Sequence, residues 1–319
     1  MKTARWVMGL LLTSAVTIAN ADLVEGPIRL IVPTAPGAAA DLLARDIGAG
    51  LSKQLKVSVI VENKPGAGTI LGASEVARSK PDGSTLLLTY VDHTYIPWLY
   101  PNAPFDARAD FTGVAMIGNL PLILLSSPTV PAANSAELVA YAKQHPGKLF
   151  FGSAGPGSTL HLAGELFKRE YGVDLVHVPY RGGAAARTAL MAGEVQVYFG
   201  SVATLNETRS SGRVRALGMA TAQRHPGLPD LPTIAESTGK PFISSIWYGV
   251  LAPKDLPPAT AERLNNAITA TMADPDFAKR AETLGVTLDP MSPQAFNAHI
   301  QSEFVRWGSL IENQKIQTQ

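Results

Sequence analysis

Residues 152–161, GSAGPGSTLH, hold the chain's densest supply of groups able to grip a small anion. Gly152, Gly155 and Gly157 let the backbone turn tightly and leave N–H groups bare. Ser153, Ser158 and Thr159 add hydroxyls, and His161 adds a ring that can donate or accept a hydrogen bond. The run Leu149, Phe150, Phe151 before the segment reads as a buried strand. After it, Leu162 and Leu166 share one helical face, as do Ala163 and Phe167. The segment is therefore a strand-to-helix turn with Ser158 or Thr159 as the cap. The first amides of a helix lack internal partners, so such a turn suits an anion.

Spacing narrows the choice of anion. Gly152 and Gly157 stand as in a phosphate loop, but Ser158 occupies the place of the required Lys. A dinucleotide fingerprint would need glycine at position 160, where the chain has Leu160. No G-x-S-x-G elbow surrounds Ser153 or Ser158. A smaller anion such as a carboxylate remains, beside a purely structural turn.

Other residues carry two readings each. Asp41 opens a helix after a Pro/Gly/Ala turn at 33–40, where a capping acid contributes ~0.5–1 kcal/mol. His161 either donates to a ligand or fastens its own turn. His177, inside a strand, reads as a satisfied core histidine. Tyr90, His93, Tyr95, Tyr180 and Trp247 are candidate cleft walls, although aromatics at strand ends are more often core or rim. The chain has no Cys, and neither His161 nor His177 has a metal-ligand partner at a helical or loop spacing, so no metal and no cofactor is expected.

The elements that must position these groups alternate. Strands are expected at 28–32, 57–61, 85–89, 175–180, 195–199 and 214–220, with helices at 41–51, 70–79, 135–144 and 184–191 between them. That alternation predicts an α/β fold with mostly parallel sheets covered on both faces. Two apolar runs, 114–118 and 122–125, are interrupted by Asn119, Leu120 and Pro121 and suggest passage into a second unit. The apolar stretch 247–252 could carry the chain back. Pro258, Pro275 and Pro293 mark helix starts, with Asp274 and Ser292 as caps before two of them. An internal echo links the units: Gly37 precedes Asp41 by four residues, and Gly157 precedes His161 by four. In open α/β sheets ligands sit at the carboxyl ends of strands, where both turns would lie.

Composition adds targeting. Lys2 and Arg5, an apolar stretch at 7–19 and Ala19-Asn20-Ala21 form a secretory leader with an A-x-A cleavage site. No later apolar run is long enough to span a bilayer. Cleavage leaves 25 Lys and Arg against 26 Asp and Glu, net −1, with no basic tract, so nucleic acid is a poor partner.

Pro33, Thr34, Ala35, Pro36 and Gly37 with Asp41, the segment VENKPGAG at 61–68 and Pro81-Asp82-Gly83 resemble the N-terminal signature of the Bug (TctC-like) periplasmic solute-binding receptors. Residues 152–161, 177–182 and 247–253 continue the likeness across essentially the whole mature chain, in order. The resemblance implies a two-lobed periplasmic-binding-protein-like fold, with residues 22–118 as the first lobe and 119–212 as the second. The segment from about 213 to 319 would return to the first. It implies a receptor without enzymatic activity that acts as a monomer and passes a small carboxylate to the membrane permease subunits of a tripartite tricarboxylate transporter.

Carried over by motif, the ligand would meet Pro36, Gly37, Ala38, Ala39 and Asp41 from one lobe. From the other it would meet Ser153, Ala154, Gly157, Ser158, Thr159 and His161. Tyr90, His93, Tyr180, Gly200 and Ser201 complete the expected lining. The family usually has Gly where this chain has Ala38, and the stretch 198–201 lacks the Asp often found there. The second departure leaves room for a bulkier or doubly anionic ligand, so a dicarboxylate, a tricarboxylate and an aromatic carboxylate all stay open. A sensing receptor for a kinase and a secreted hydrolase using Ser158 and His161 are the competing functions.

The leader reading predicts a mature periplasmic chain that begins at Asp22 and has 298 residues, 21 fewer than the 319 of the sequence. Intact-mass spectrometry of periplasmic extract checks this, and recovery of only the full-length chain in membranes would contradict it.

Overall fold

The computed structural model describes residues 26–317, so the leader lies outside the described residues. The chain opens with strand β1 (Ile28–Val32), helix α1 (Ala39–Leu55), strand β2 (Val59–Asn63), helix α2 (Ile70–Ala77) and strand β3 (Thr85–Tyr90). β1 is buried except at Arg29, as expected of a strand covered on both faces. It pairs in parallel with both β2 and β3, which brings the carboxyl ends of all three strands to one edge. A 3₁₀ turn (Val91–Tyr95) and the short helix α3 (Ile96–Leu99) follow, then strand β4 (Phe111–Pro121).

The second unit begins with strand β5 (Ile123–Ser126) and helix α4 (Ser135–Gln144). Strand β6 (Leu149–Ser153), helix α5 (Thr159–Tyr171), strand β7 (Leu175–Pro179) and helix α6 (Gly183–Ala192) come next. Strand β8 (Val197–Gly200), helix α7 (Val202–Arg209), strand β9 (Arg215–Met219) and helix α8 (Ile234–Thr238) complete it. The chain then returns through strand β10 (Ser245–Pro253), helices α9 (Pro258–Met272) and α10 (Pro275–Thr283), strand β11 (Thr287–Met291) and helix α11 (Pro293–Asn313). One sheet has the order β11-β4-β10-β3-β1-β2 and the other β7-β6-β8-β5-β9. The fold is α/β and two-lobed.

Two expectations about the crossings differ from the pairing. Residues 119–121 do not interrupt the strand. Asn119, Leu120 and Pro121 pair with Trp247, Ile246 and Ser245, so β4 runs unbroken and Leu122 alone links it to β5. The return does not begin near 213, because β9 pairs with β5 in the second sheet, and the chain crosses back only at β10. An apolar run shows that a strand forms but not which sheet receives it. The crossings are bound to each other: Leu122 N–H donates to Ser244 O at 3.1 Å, Ala220 N–H to Leu122 O at 2.8 Å, and Ser244 N–H to Ala220 O at 2.9 Å.

The first sheet is covered on both faces. Leu43 and Ile47 of α1 and Leu264 and Ile268 of α9 fill one side. On the other, α11 buries Phe296, Phe304 and Trp307. Pro258, Pro275 and Pro293 stand in first helical turns, and the Asp274 and Ser292 side chains accept from the Asp276 and Ala295 amides.

At Gly249, in the middle of β10, an added Cβ would lie 2.2 Å from Phe296 Cζ and 3.0 Å from Ala115 O. Phe296 is fully buried against Trp247 and cannot swing away. Gly249→Ala should therefore cost about 1–3 kcal/mol of stability, read as a lower urea midpoint with an unchanged slope.

Candidate functional site

Both Gly-containing turns occupy the carboxyl edge of their sheets. β6 is parallel to β7 and β8, so Ser153, Pro179 and Gly200 end side by side. The echo between the lobes is a repeated hydrogen bond. Gly37 N–H donates to Asp41 Oδ2 at 2.8 Å, and Gly157 N–H donates to His161 Nδ1 at 3.1 Å. Both glycines have positive φ, 84° and 74°, which other residues adopt at a cost. In each turn a side chain from the first helical turn reaches back and fixes the path of the backbone.

Asp41 is fully engaged in this work. Its carboxylate also accepts from Asn63 Nδ2 at 2.9 Å and from Arg45 Nε at 3.1 Å. Burial pushes its pKa up, but the bonds from Arg45, Gly37 and Asn63 outweigh that, and the carboxyl stays below its usual range. Asn63 in turn donates to Thr34 O at 3.1 Å and ties the end of β2 to the same turn. No side chain caps α1: Ala38 stands at the N-cap in extended geometry. The Ala39 and Ala40 amides have no carbonyl four residues back within the helix.

The second turn is more heavily bonded. Ser158 caps α5, its Oγ accepting from His161 N–H at 3.3 Å and donating to Gly155 O at 2.7 Å. Ser153 is buried, with its Oγ 2.6 Å from His177 Nε2, and it accepts from Gly155 N–H at 3.1 Å. His177 stacks on His161, ring centroids 3.8 Å apart. The expected core histidine is thus half-buried and braces the turn through Ser153: the parallel register sets it beside Phe151 in mid-strand, two residues before Ser153 ends β6. Since His161 Nδ1 accepts from Gly157, its proton sits on Nε2, which faces Glu165 Oε1 at 3.8 Å. That tautomer leaves no base for Ser158, and Ser153 is closed to solvent, so neither serine is set up as a nucleophile.

The remaining expected residues divide. Gly200 and Ser201 lie at the end of β8, with Ser201 Oγ capping α7 through Thr204 N–H at 3.2 Å. Tyr180 N–H donates to Ser153 O at 3.1 Å, while its hydroxyl turns away to Glu194 at 3.4 Å. Ala154 follows Ser153 in the second turn, and Pro36 precedes Gly37 in the first. Tyr90 ends β3 and is half-buried, its ring 6.2 Å from Tyr248. His93 is a correction: its ring is buried against Phe111 and Phe304, and Nε2 bonds Ala107 O at 3.1 Å. The 3₁₀ turn after Tyr90 rotates His93 into the core. Tyr95 packs on Trp307 and Trp247 on Phe296, so both are core as well.

Sequence reasoning missed Asp92, two residues past the expected Tyr90. Thr159, the first residue of α5, donates from Oγ1 to Asp92 Oδ1 at 2.6 Å, joining the two lobes across the strand ends. Its place directly beyond the carboxyl end of a parallel strand was the available signal. Arg181 is exposed at the rim. Among the described residues no group of three His, Cys, Asp or Glu could hold a metal ion.

Residues 43–316 match the tripartite tricarboxylate transporter family receptor. A UPF0065 protein of a Pseudomonas strain, encoded between tcbD and tcbE, is 37% identical over 89% of this chain and 85% of its own length. A solved R. palustris protein with adipate is 31% identical, covers 92% of this chain and 99% of its own, and superposes with TM-score 0.77. MatC from Rhodopseudomonas palustris with bound malate is 30% identical over 90% of this chain and 99% of its own, with TM-score 0.73.

The stacked histidines carry a pH signature. Burial first, then the charges of His177 and Lys168, lowers His161 to about 3; burial and Lys168 lower His177 to about 4. Both ordinarily titrate near 6.5, so the folded chain binds fewer protons than the unfolded one below that pH. Their stabilising contribution is complete above pH 6.5 and is lost as pH falls through about 4. The double variant His161→Gln, His177→Gln should show a shallower loss between pH 6.5 and 4 in urea titrations. Nitrogen NMR at pH 6 should show His161 neutral and protonated on Nε2.

Proposed function

The chain belongs to the tripartite tricarboxylate transporter receptor family, and on that premise we propose that it captures a small carboxylate between its lobes for the membrane subunits of such a transporter, in the periplasm. It is a solute-binding receptor and not an enzyme. The observation that supports the ligand class is the pair of clamped turns. Each holds a helix N-terminus at the strand ends, and neither contains a basic side chain. A carboxylate that leaves water must regain its hydrogen bonds. Helix-end amides and the helix dipole supply them without a counter-ion, each charge-assisted bond contributing ~1.5–3 kcal/mol. The adipate and malate held by the two R. palustris neighbours agree with that chemistry. The leader agrees with the compartment.

A thermal-shift panel of carboxylates on the mature protein tests the class. A ligand at a hundred times its dissociation constant should add ~2.7 kcal/mol of stability. A panel without any stabilising carboxylate would overturn the reading. Ala39→Pro tests the anchor. It removes one amide donor at the first position of α1, where proline fits the helix and Ala38 is already extended. It should weaken binding at least tenfold with an unchanged circular dichroism spectrum. Arg181→Ala should cost less than tenfold, below ~1.4 kcal/mol. Binding abolished by Arg181→Ala and untouched by Ala39→Pro would replace the amide anchor with a salt bridge.

A further inference from the structure

Asp92 is a carboxylate placed where the proposed ligand would bring another. Its Oδ1 accepts from Thr159 Oγ1 at 2.6 Å, and Thr159 is the residue whose amide opens α5. A ligand carboxylate on that amide would be separated from Asp92 by two hydrogen bonds and the span of Thr159 between its amide and its hydroxyl. Among the described residues no cation offsets this charge: Asp92 forms no ion pair there, and Thr159 is its hydrogen-bond partner. Burial pushes its carboxyl up to about 6, which records the cost of an ionised group left without a cation.

The surroundings are aromatic. The charge of Asp92 adds to burial in raising the hydroxyls of Tyr90, Tyr248, Tyr95 and Tyr100. The Tyr90 and Tyr248 rings stand 6.2 Å apart and tilted by 51°. An acid without a counter-ion attracts a cation by charge, and aromatic rings nearby can add to that attraction through their quadrupoles. The same acid repels a second anion, which is how a site rejects a wrong ligand.

We infer that Asp92 is a specificity residue that selects a carboxylate carrying a cationic nitrogen, an ammonium or a protonated or quaternary amine, over a plain dicarboxylate. The inference rests on the carboxylate-receptor reading and assigns its missing ligand class. The ligand carboxylate takes the helix-end amides, and its cationic nitrogen takes Asp92 between Tyr90 and Tyr248. The absence of an acid at residues 198–201 therefore does not make room for a second negative charge, because the first lobe provides one.

Two matched probe pairs test this by calorimetric titration of the mature protein at pH 8: malate against aspartate, and adipate against 5-aminopentanoate. Each pair keeps a similar skeleton and exchanges a hydroxyl or a carboxylate for an ammonium. Wild type should bind the aminated member of at least one pair tenfold or more tighter. Asp92→Asn keeps an oxygen for Thr159 and removes the charge. It should weaken the aminated probe at least tenfold and leave the dicarboxylate equal or tighter. Asp92→Ser should shift preference in the same direction. Dicarboxylates that bind wild type as well as or better than their partners, with no change in Asp92→Asn, would overturn the inference and leave the receptor reading standing. Failure of all four probes, together with an empty thermal-shift panel, would overturn both.

Discussion

The site depends on one hydrogen bond made twice, from a glycine amide to a side chain four residues on. A turn with a positive-φ glycine can take many paths, and each helix would then point its end elsewhere. Asp41 and His161 close the loop and set the helix axis against the strand it follows. They do so with different electrostatics. Asp41 is an anion matched by Arg45, while His161 is a neutral ring whose pKa burial has driven far down. In neither turn does the clamp leave net negative charge at the helix end. The positive terminus of α1 therefore remains available to an external anion, while at α5 the carboxylate of Asp92 stands beside the first residue through Thr159 Oγ1.

The lobes share apolar packing where α11 meets α5, and two sets of hydrogen bonds of different character join them besides. At the crossings, Leu122, Ala220 and Ser244 exchange backbone hydrogen bonds, so a rotation there bends three adjoining strands together. At the strand ends, Thr159 reaches Asp92. A single hydrogen bond of this kind contributes about 0.5–1.5 kcal/mol net, more where one partner is charged. A ligand that touches both turns adds interactions that exist only when the lobes are together, which is the condition for closure to follow binding.

Much of this was legible in the sequence, for identifiable reasons. Strand-helix alternation and the Pro and Ser or Asp signals at 258, 274–275 and 292–293 gave the elements, because they act locally. The echo Gly37–Asp41 and Gly157–His161 was visible as spacing, and the structure supplies its cause. What depends on pairing was not legible. The sheet that takes β9, the unbroken course of β4 and the contact of His177 with Ser153 all follow from long-range register. His93 and Asp92 show the sharpest failure. They are neighbours just past β3, and one 3₁₀ turn sends the histidine into the core and the acid toward α5.

Anchoring and selecting are separate tasks in such a site. Backbone amides recognise any carboxylate, since they see only two oxygens and a charge. Discrimination must come from groups that meet the rest of the ligand, and a mismatch there costs most when it leaves a buried charge unpaired or opposes like charges. The clamped turns are built of backbone and of side chains already bonded to each other, so they have little freedom to vary the ligand chosen. The end of β3 is different. Tyr90 and, across the strand pair, Tyr248 take no part in either clamp, and Asp92 meets the second turn through the Thr159 hydroxyl, so on the proposed reading substitution among them would alter what the cleft accepts while the two clamps stay in place. A common receptor frame can thus serve different solutes by changing a few residues at one strand end, while the hydrogen bonds that aim the helices stay in place.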